Sequence, residues 1–174
     1  MKLKCILLLV TGLVTGLITM GLISDKEHFV STNEMVAIAE NECQVLNAEG
    51  LAELMMGEEV YTLIDVRQEI EHYYGYIPGS VMLPRGSLEF NIENKEFWEN
   101  EGIYMPLKEE AIVVYCKKGN RGALAAHTLK HMGYKKVYYL EGGFKQWELS
   151  YPDYVEKNLQ ALGGAHEEED TGGC

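Results

Sequence analysis

Apolar positions in this chain come in short runs separated by polar, helix-compatible stretches. Residues 60–66 (VYTLIDV) and 111–115 (AIVVY) are nearly continuous apolar runs rich in β-formers. Such runs suit strands covered on both faces. Residues 43–46, 80–83 and 136–139 predict three further strands. Between them, Asn47 caps a predicted helix through Met56, with Glu49 and Glu53 on its polar side. Residues 68–73 predict a short helix. Residues 121–131 predict a longer one with Leu124, Ala125, Thr128 and Leu129 facing inward, and residues 144–149 another. Leu88, Phe90, Ile92, Phe97 and Trp98 are expected to carry apolar bulk toward the core. Strands alternating with helices predict an α/β fold with a parallel sheet. In such sheets ligands gather at the carboxyl ends of strands.

The two ends of the chain read differently. Met1–Lys4 is short and basic, residues 5–23 carry no charge, and Ser24-Asp25-Lys26 returns to polar. Residues 1–24 therefore predict a signal peptide or an N-terminal membrane anchor. The apolar stretch is at the lower limit of what spans a bilayer. Lysines before it place the following domain on the far side of the membrane. The expected location is exported: periplasmic, or tethered to the outer face of the cytoplasmic membrane. Residues 25–42 are expected to form a partly helical leader, with Met35, Val36, Ile38 and Ala39 following a cap at 31–33. The domain proper is expected over 43–150, and a C-terminal extension over 151–174. That extension ends in a glycine-rich, acidic tail, Gly172-Gly173-Cys174 last, a composition that predicts flexibility.

Composition narrows the function. The chain has 174 residues and a formal net charge of −12, which argues against a nucleic-acid partner. Its four cysteines, Cys5, Cys43, Cys116 and Cys174, show no paired spacing. With Cys5 in the targeting segment, an exported chain is left with an odd number and so with a free thiol. No Cys/His cluster has metal-ligand spacing. His127 and His131 stand four apart on a predicted helix but lack a carboxylate or cysteine partner nearby in sequence. Neither a metal nor another cofactor is expected.

The candidate chemistry lies in residues 113–124 (VVYCKKGNRGAL). An apolar run ends at Cys116, a basic glycine-containing loop follows, and a helix pattern begins. That order places a thiol at a ring of backbone N–H groups by a helix N-terminus, an anion site. Cysteines in such places favour the thiolate and act as nucleophiles. Lys117, Lys118 and Arg121 focus positive potential there within an acidic chain.

This loop resembles the active-site loop of the rhodanese family of sulfurtransferases. Leu63-Ile64-Asp65-Val66-Arg67 resembles the family's first signature strand, and Gly75-Tyr76-Ile77-Pro78-Gly79-Ser80 its following turn, with Tyr76 in place of the usual histidine. Met132-Gly133-Tyr134 and Leu140-Glu141-Gly142-Gly143-Phe144 with Trp147 resemble its closing segment. The resemblance runs in order over residues 44–150. It implies a rhodanese-like parallel sheet flanked by helices on both faces, and a persulfide mechanism. Cys116 would accept sulfane sulfur from thiosulfate or polysulfide and pass it to cyanide, a thiol or a sulfur-carrier protein. Lys117, Lys118, Gly119, Asn120 and Arg121 would cradle the substrate, with Arg121 holding the anion. Asp65 and Arg67 would support the loop structurally, and Arg85 is either a residue of the site's mouth or an ordinary surface arginine.

Two further readings bear on the chemistry. Four residues, 117–120, separate Cys116 from Arg121. Phosphatases of the same fold resemble Cys-x5-Arg, one residue longer, so the loop length favours sulfur over phosphate. An arsenate reductase or phosphatase, and a sulfur carrier or binding module without turnover, remain the alternatives. The terminal Gly-Gly-Cys is similar to the arms of sulfur-carrier proteins, which makes Cys174 a candidate sulfur relay. A tail whose thiol is incidental is the other reading.

Overall fold

The computed structural model describes residues 31–163. The segment 1–24 expected to be a signal peptide or anchor, the acidic tail and Cys174 lie outside the described residues. The elements run α1 (Thr32–Glu42), β1 (Gln44–Leu46), α2 (Ala48–Met56), β2 (Tyr61–Asp65), α3 (Glu69–Tyr73), β3 (Ser80–Met82), a 3-10 turn (Arg85–Ser87), α4 (Leu88–Asn91), α5 (Lys95–Asn100), β4 (Ala111–Tyr115), α6 (Asn120–His131), β5 (Lys136–Leu140), α7 (Gly143–Ser150) and α8 (Gln160–Gly163).

All strand pairings are parallel, in the order β1-β5-β4-β2-β3. Every residue of β4, the central strand, is buried, which is why its sequence shows no alternation. Ile112 and Val114 face one layer with Ala39, Trp98, Ala125, Ala126 and Leu129. Val113 and Tyr115 face the other with Leu51, Leu63, Phe144 and Trp147. Helices α1, α4, α5 and α6 thus contribute to one layer, and α2 and α7 to the other, as the expected α/β architecture requires.

Several local expectations are corrected. Phe90 is exposed, while Leu88, Ile92 and Trp98 fill the core. The α4 turn is too short to bury both of its faces: Leu88 takes the inner one and Phe90, its aromatic, stays outside. On α6, Ala125 and Leu129 are buried as expected and Leu124 packs against the core from a half-buried position; Thr128 is half-buried, and Gly122, Ala123 and Ala126 also face inward. The small residues let the helix sit close to the sheet: a Cβ on Gly122 would lie 3.4 Å from the Val114 carbonyl oxygen. The helical part of the 25–42 leader is α1. Ser31 caps it by accepting the Glu34 N–H at 3.2 Å, and Val36 and Ala39 are buried, so α1 packs as part of the domain rather than standing off as a spacer. The chain beyond 150 also returns to the domain. Tyr76 pairs with Glu156 in an antiparallel bridge, and the Trp147 indole N–H donates to the Tyr154 carbonyl at 2.8 Å. Among the described residues, no helix is long and apolar enough to cross a membrane.

Candidate active site

The site forms where β4 ends. Cys116 follows the strand directly and is 2% exposed. Its Sγ accepts the Gly119 N–H at 3.2 Å. Gly119 takes φ +107° and caps α6, a backbone region glycine enters without the cost other residues meet. The chain therefore folds back over the thiol within three residues and starts a helix there. The positive end of α6 lies at the loop and favours negative charge beside it.

The loop carbonyls are tied outward. The Phe144 N–H donates to the Cys116 carbonyl at 2.7 Å, and the Lys145 N–H to the Lys117 carbonyl at 3.1 Å. Both donors belong to the first turn of α7, whose N–H groups have no partner inside the helix. Each element thus satisfies the other's orphan groups. The approach depends on Gly143, which takes φ +61°. A Cβ there would overlap the Cys116 carbonyl oxygen and lie 2.8 Å from both Lys117 C and Lys118 N.

Beside the loop opens a cleft of about 500 Å³. Lys117, Lys118, Lys145 and Arg67 line it against Glu71 and Glu148, with Tyr74, Gly75 and Phe144 completing the wall. The side chains of Lys117 and Lys118 are exposed and free to meet an anion, and Asn120 is exposed as well. Lys145 comes from α7 and has no counterpart in the sequence reading. Only the close packing of the two helix starts brings it here.

Arg121 stands differently from its sequence expectation. Its Nη1 and Nη2 donate to the two Glu71 carboxylate oxygens at 2.7 and 2.8 Å. The hydrogen bond from Arg121 holds the Glu71 carboxyl below its usual range, and Glu71 in turn raises Arg121. The guanidinium is engaged by a carboxylate, so any anion in the loop competes with Glu71 for it. The partner lies 50 residues away in sequence, which is why no local pattern revealed it.

Asp65 and Arg67 form the support beneath the site. Both are buried. Arg67 Nε donates to both Asp65 oxygens, Nη2 donates to Asp65 Oδ2 at 2.6 Å and to the Gly75 carbonyl at 2.7 Å, and the Arg67 N–H donates to Asp65 Oδ1. His72 Nδ1 donates to Asp65 Oδ2 at 2.9 Å. Burial pushes the Asp65 carboxyl up, but hydrogen bonds from His72 and Arg67 and the Arg67 charge win, and it stays below the ordinary value. The Arg67 guanidinium also lies over the Phe144 ring at 4.3 Å and the Tyr115 ring at 5.4 Å. Burial, then the Asp65 charge, pushes the Tyr115 phenol far above its usual range, so it remains a neutral hydroxyl that meets the Ile77 N–H and Ser80 Oγ. Tyr76 stacks on His72 with ring centroids 4.2 Å apart, a scaffold role consistent with its place in the turn.

Arg85 is held away from the cleft. Its Nη1 donates to Glu89 Oε1 at 2.6 Å and its Nη2 to Thr128 Oγ1 at 2.9 Å, so it ties the 3-10 turn to α4 and α6. Cys43 and Cys116 are free thiols. Cys43 is half-buried at the end of α1, far along the sheet order from the site.

Comparison with known proteins agrees with this geometry. A family model for the rhodanese-like domain matches residues 47–150. A putative mitochondrial thiosulfate sulfurtransferase of Schizosaccharomyces pombe is 34% identical over 93 residues, covering 52% of this chain and 66% of that protein. The thiosulfate sulfurtransferase GlpE of Pseudoalteromonas translucida is 30% identical over 103 residues, covering 59% and 88%. Among solved structures, a Rhodopseudomonas palustris protein of unknown function, described as a possible tyrosine phosphatase, superposes with TM-score 0.57 at 31% identity, covering 72% of this chain and 95% of its own. The family match covers more than half of the chain, from the start of α2 to the end of α7, and the chain belongs to the rhodanese-like family.

Proposed function

We propose that this protein is an exported sulfurtransferase working through a persulfide on Cys116. The observation that carries the reading is the seat of the Cys116 sulfur: it lies under the Gly119 N–H, in a loop whose Lys117 and Lys118 line a cleft with Lys145 and Arg67. The named thiosulfate sulfurtransferases among the relatives support the same class, and the basic-then-apolar segment 1–24 supports export.

With thiosulfate as donor, the Cys116 thiolate attacks the terminal sulfur. A new S–S bond forms at Cys116, the donor's S–S bond breaks, and sulfite leaves with the electron pair. With polysulfide the leaving group is the shortened polysulfide anion. In the second step a thiolate, cyanide or the thiol of a sulfur-carrier protein attacks the outer sulfur, and the Cys116 thiolate is released. Lys117, Lys118 and Lys145 attract the dianionic donor. The Gly119 N–H and the start of α6 stabilise charge on the bound sulfur. Gly119, Asn120 and Arg121 complete the loop, with Arg121 drawn between the donor and Glu71. Cys174, on its glycine-rich arm, is the candidate relay that takes the sulfur onward.

Phosphate ester hydrolysis is the competing reading, favoured by the description of the Rhodopseudomonas palustris neighbour. Against it stands the loop of four intervening residues.

Intact mass with peptide mapping, after thiosulfate or polysulfide, decides the matter. One added sulfur on Cys116, absent in Cys116→Ser, is expected. No addition with either donor, together with turnover of an aryl phosphate, overturns the proposal.

A further inference from the structure

At the opposite end of α6 from Cys116, three potential metal ligands converge. His127 and His131 lie one turn apart on α6, with ring centroids 4.2 Å apart. Glu42, the last residue of α1, brings a carboxylate against them: its Oε2 is 3.3 Å from His127 Nε2. One ligand atom from each of the three lies within 4.8 Å of the others. The carboxylate missing from the sequence reading of this histidine pair is supplied by an element 85 residues earlier, through the packing of α1 on α6.

The protonation pattern suits a cation. His131 Nδ1 meets the His127 carbonyl oxygen at 2.8 Å. A carbonyl only accepts, so Nδ1 carries the hydrogen and the neutral ring presents a bare Nε2 lone pair. A backbone carbonyl holding the far nitrogen is the usual support of a metal-bound histidine. His127 Nε2 is the one buried side-chain polar atom without a hydrogen-bond partner among the described residues. It sits within ion-pair distance of Glu42 yet makes no hydrogen bond to it, so the histidine nitrogen keeps its bonding capacity unspent. Nitrogen and oxygen ligands at roughly 2.0–2.1 Å from a tetrahedral zinc ion lie about 3.4 Å apart, close to the separation of His127 Nε2 and Glu42 Oε2. The carbonyl ends of α1 and α6 both point here, and helix C-termini favour positive charge. The Lys130 ammonium donates to the Glu42 main-chain carbonyl at 2.6 Å rather than to the carboxylate. Glu42 and His131 are exposed, which gives an ion a way in.

We propose that Glu42, His127 and His131 form a zinc site that clasps α1 to α6. Two imidazoles and one carboxylate leave a fourth position for water. The site lies roughly 16 Å along the α6 axis from the start of the helix, so it is separate from the thiol chemistry and independent of the proposed sulfur transfer. Its effect is mechanical: it fastens the helix that follows the targeting segment to the helix that begins at the active-site loop.

The test is calorimetric titration of Zn²⁺ into the full chain, freed of metal and kept reduced, alongside thermal melting with and without the ion. One equivalent is expected to bind wild type and Cys116→Ser alike and to raise the melting midpoint of both. Glu42→Gln and His131→Ala are expected to weaken binding at least about tenfold and to abolish the thermal shift. His131 is exposed, so its truncation leaves the core in place, and His127→Ala adds the third ligand. Equal binding by wild type and His131→Ala, binding that disappears in Cys116→Ser, or no binding at all, overturns the proposal; the last outcome leaves Glu42 and His127 a plain side-chain contact between α1 and α6.

Discussion

Gly143 and Cys116 are bound by a contact that no side chain could share: the first turn of α7 rests on the Cys116 carbonyl, at the place a Cβ on Gly143 would occupy. The Phe144 and Lys145 N–H groups reach the loop carbonyls only because that space is empty. Gly143→Ala is therefore expected to push α7 off the loop. It also forces alanine to φ +61°. The expected loss of stability is at least about 2 kcal/mol, read by urea denaturation. Sulfur loading of Cys116, followed by mass, should fall with it. Normal loading at reduced stability would show that the loop keeps its shape without α7.

The Glu71–Arg121 pair is expected to set how strongly the loop holds an anion. Glu71→Gln removes the charge that competes with the donor while leaving the side-chain size unchanged. The expected result is a fall in KM for thiosulfate of about two- to tenfold, lessened by added salt. Arg121→Ala should raise KM. If Arg121 serves only to pin α3 to α6, both variants should instead lose activity to the same degree.

Asp65 governs stability in acid. Its carboxyl is held below the ordinary value, so the native state favours the ionised form. Its stabilising contribution is complete above about pH 5 and is lost as the pH falls below the ordinary carboxylate value of about 3.9 and through the lower native one. Asp65→Asn leaves the buried Arg67 guanidinium without its counter-charge and should cost about 3–5 kcal/mol at neutral pH. Urea unfolding of wild type and variant at neutral pH and at about pH 3 should show the gap narrowing in acid. A gap that stays constant with pH would mean that Asp65 acts through shape alone.

The sequence carried the frame well where the signal was local. The run at 111–115 is β4 without a residue of error, because a strand buried on both faces is apolar throughout. Cys116 and its loop were legible for the same reason: strand end, glycine and helix start follow one another directly. What was hidden depends on distance. Glu71 reaches Arg121, Lys145 reaches the cleft and Glu42 reaches His127 across long stretches of chain, and residue type alone does not announce such meetings. The inward face of α6 is broader than its pattern suggests, for a different reason. Periodicity weighs large apolar residues, whereas this helix lies close to its sheet and turns Gly122, Ala123 and Ala126 inward.

The near-complete burial of Cys116 has a consequence for the order of events. In the resting state the sulfur is almost inaccessible, so bulky disulfides and other large oxidants meet little of it. Loading would place a second sulfur roughly 2 Å further out. If Cys116 carries sulfur as proposed, the resting thiol is sheltered and the added sulfur stands further out, so an acceptor finds something to attack only after the donor has called.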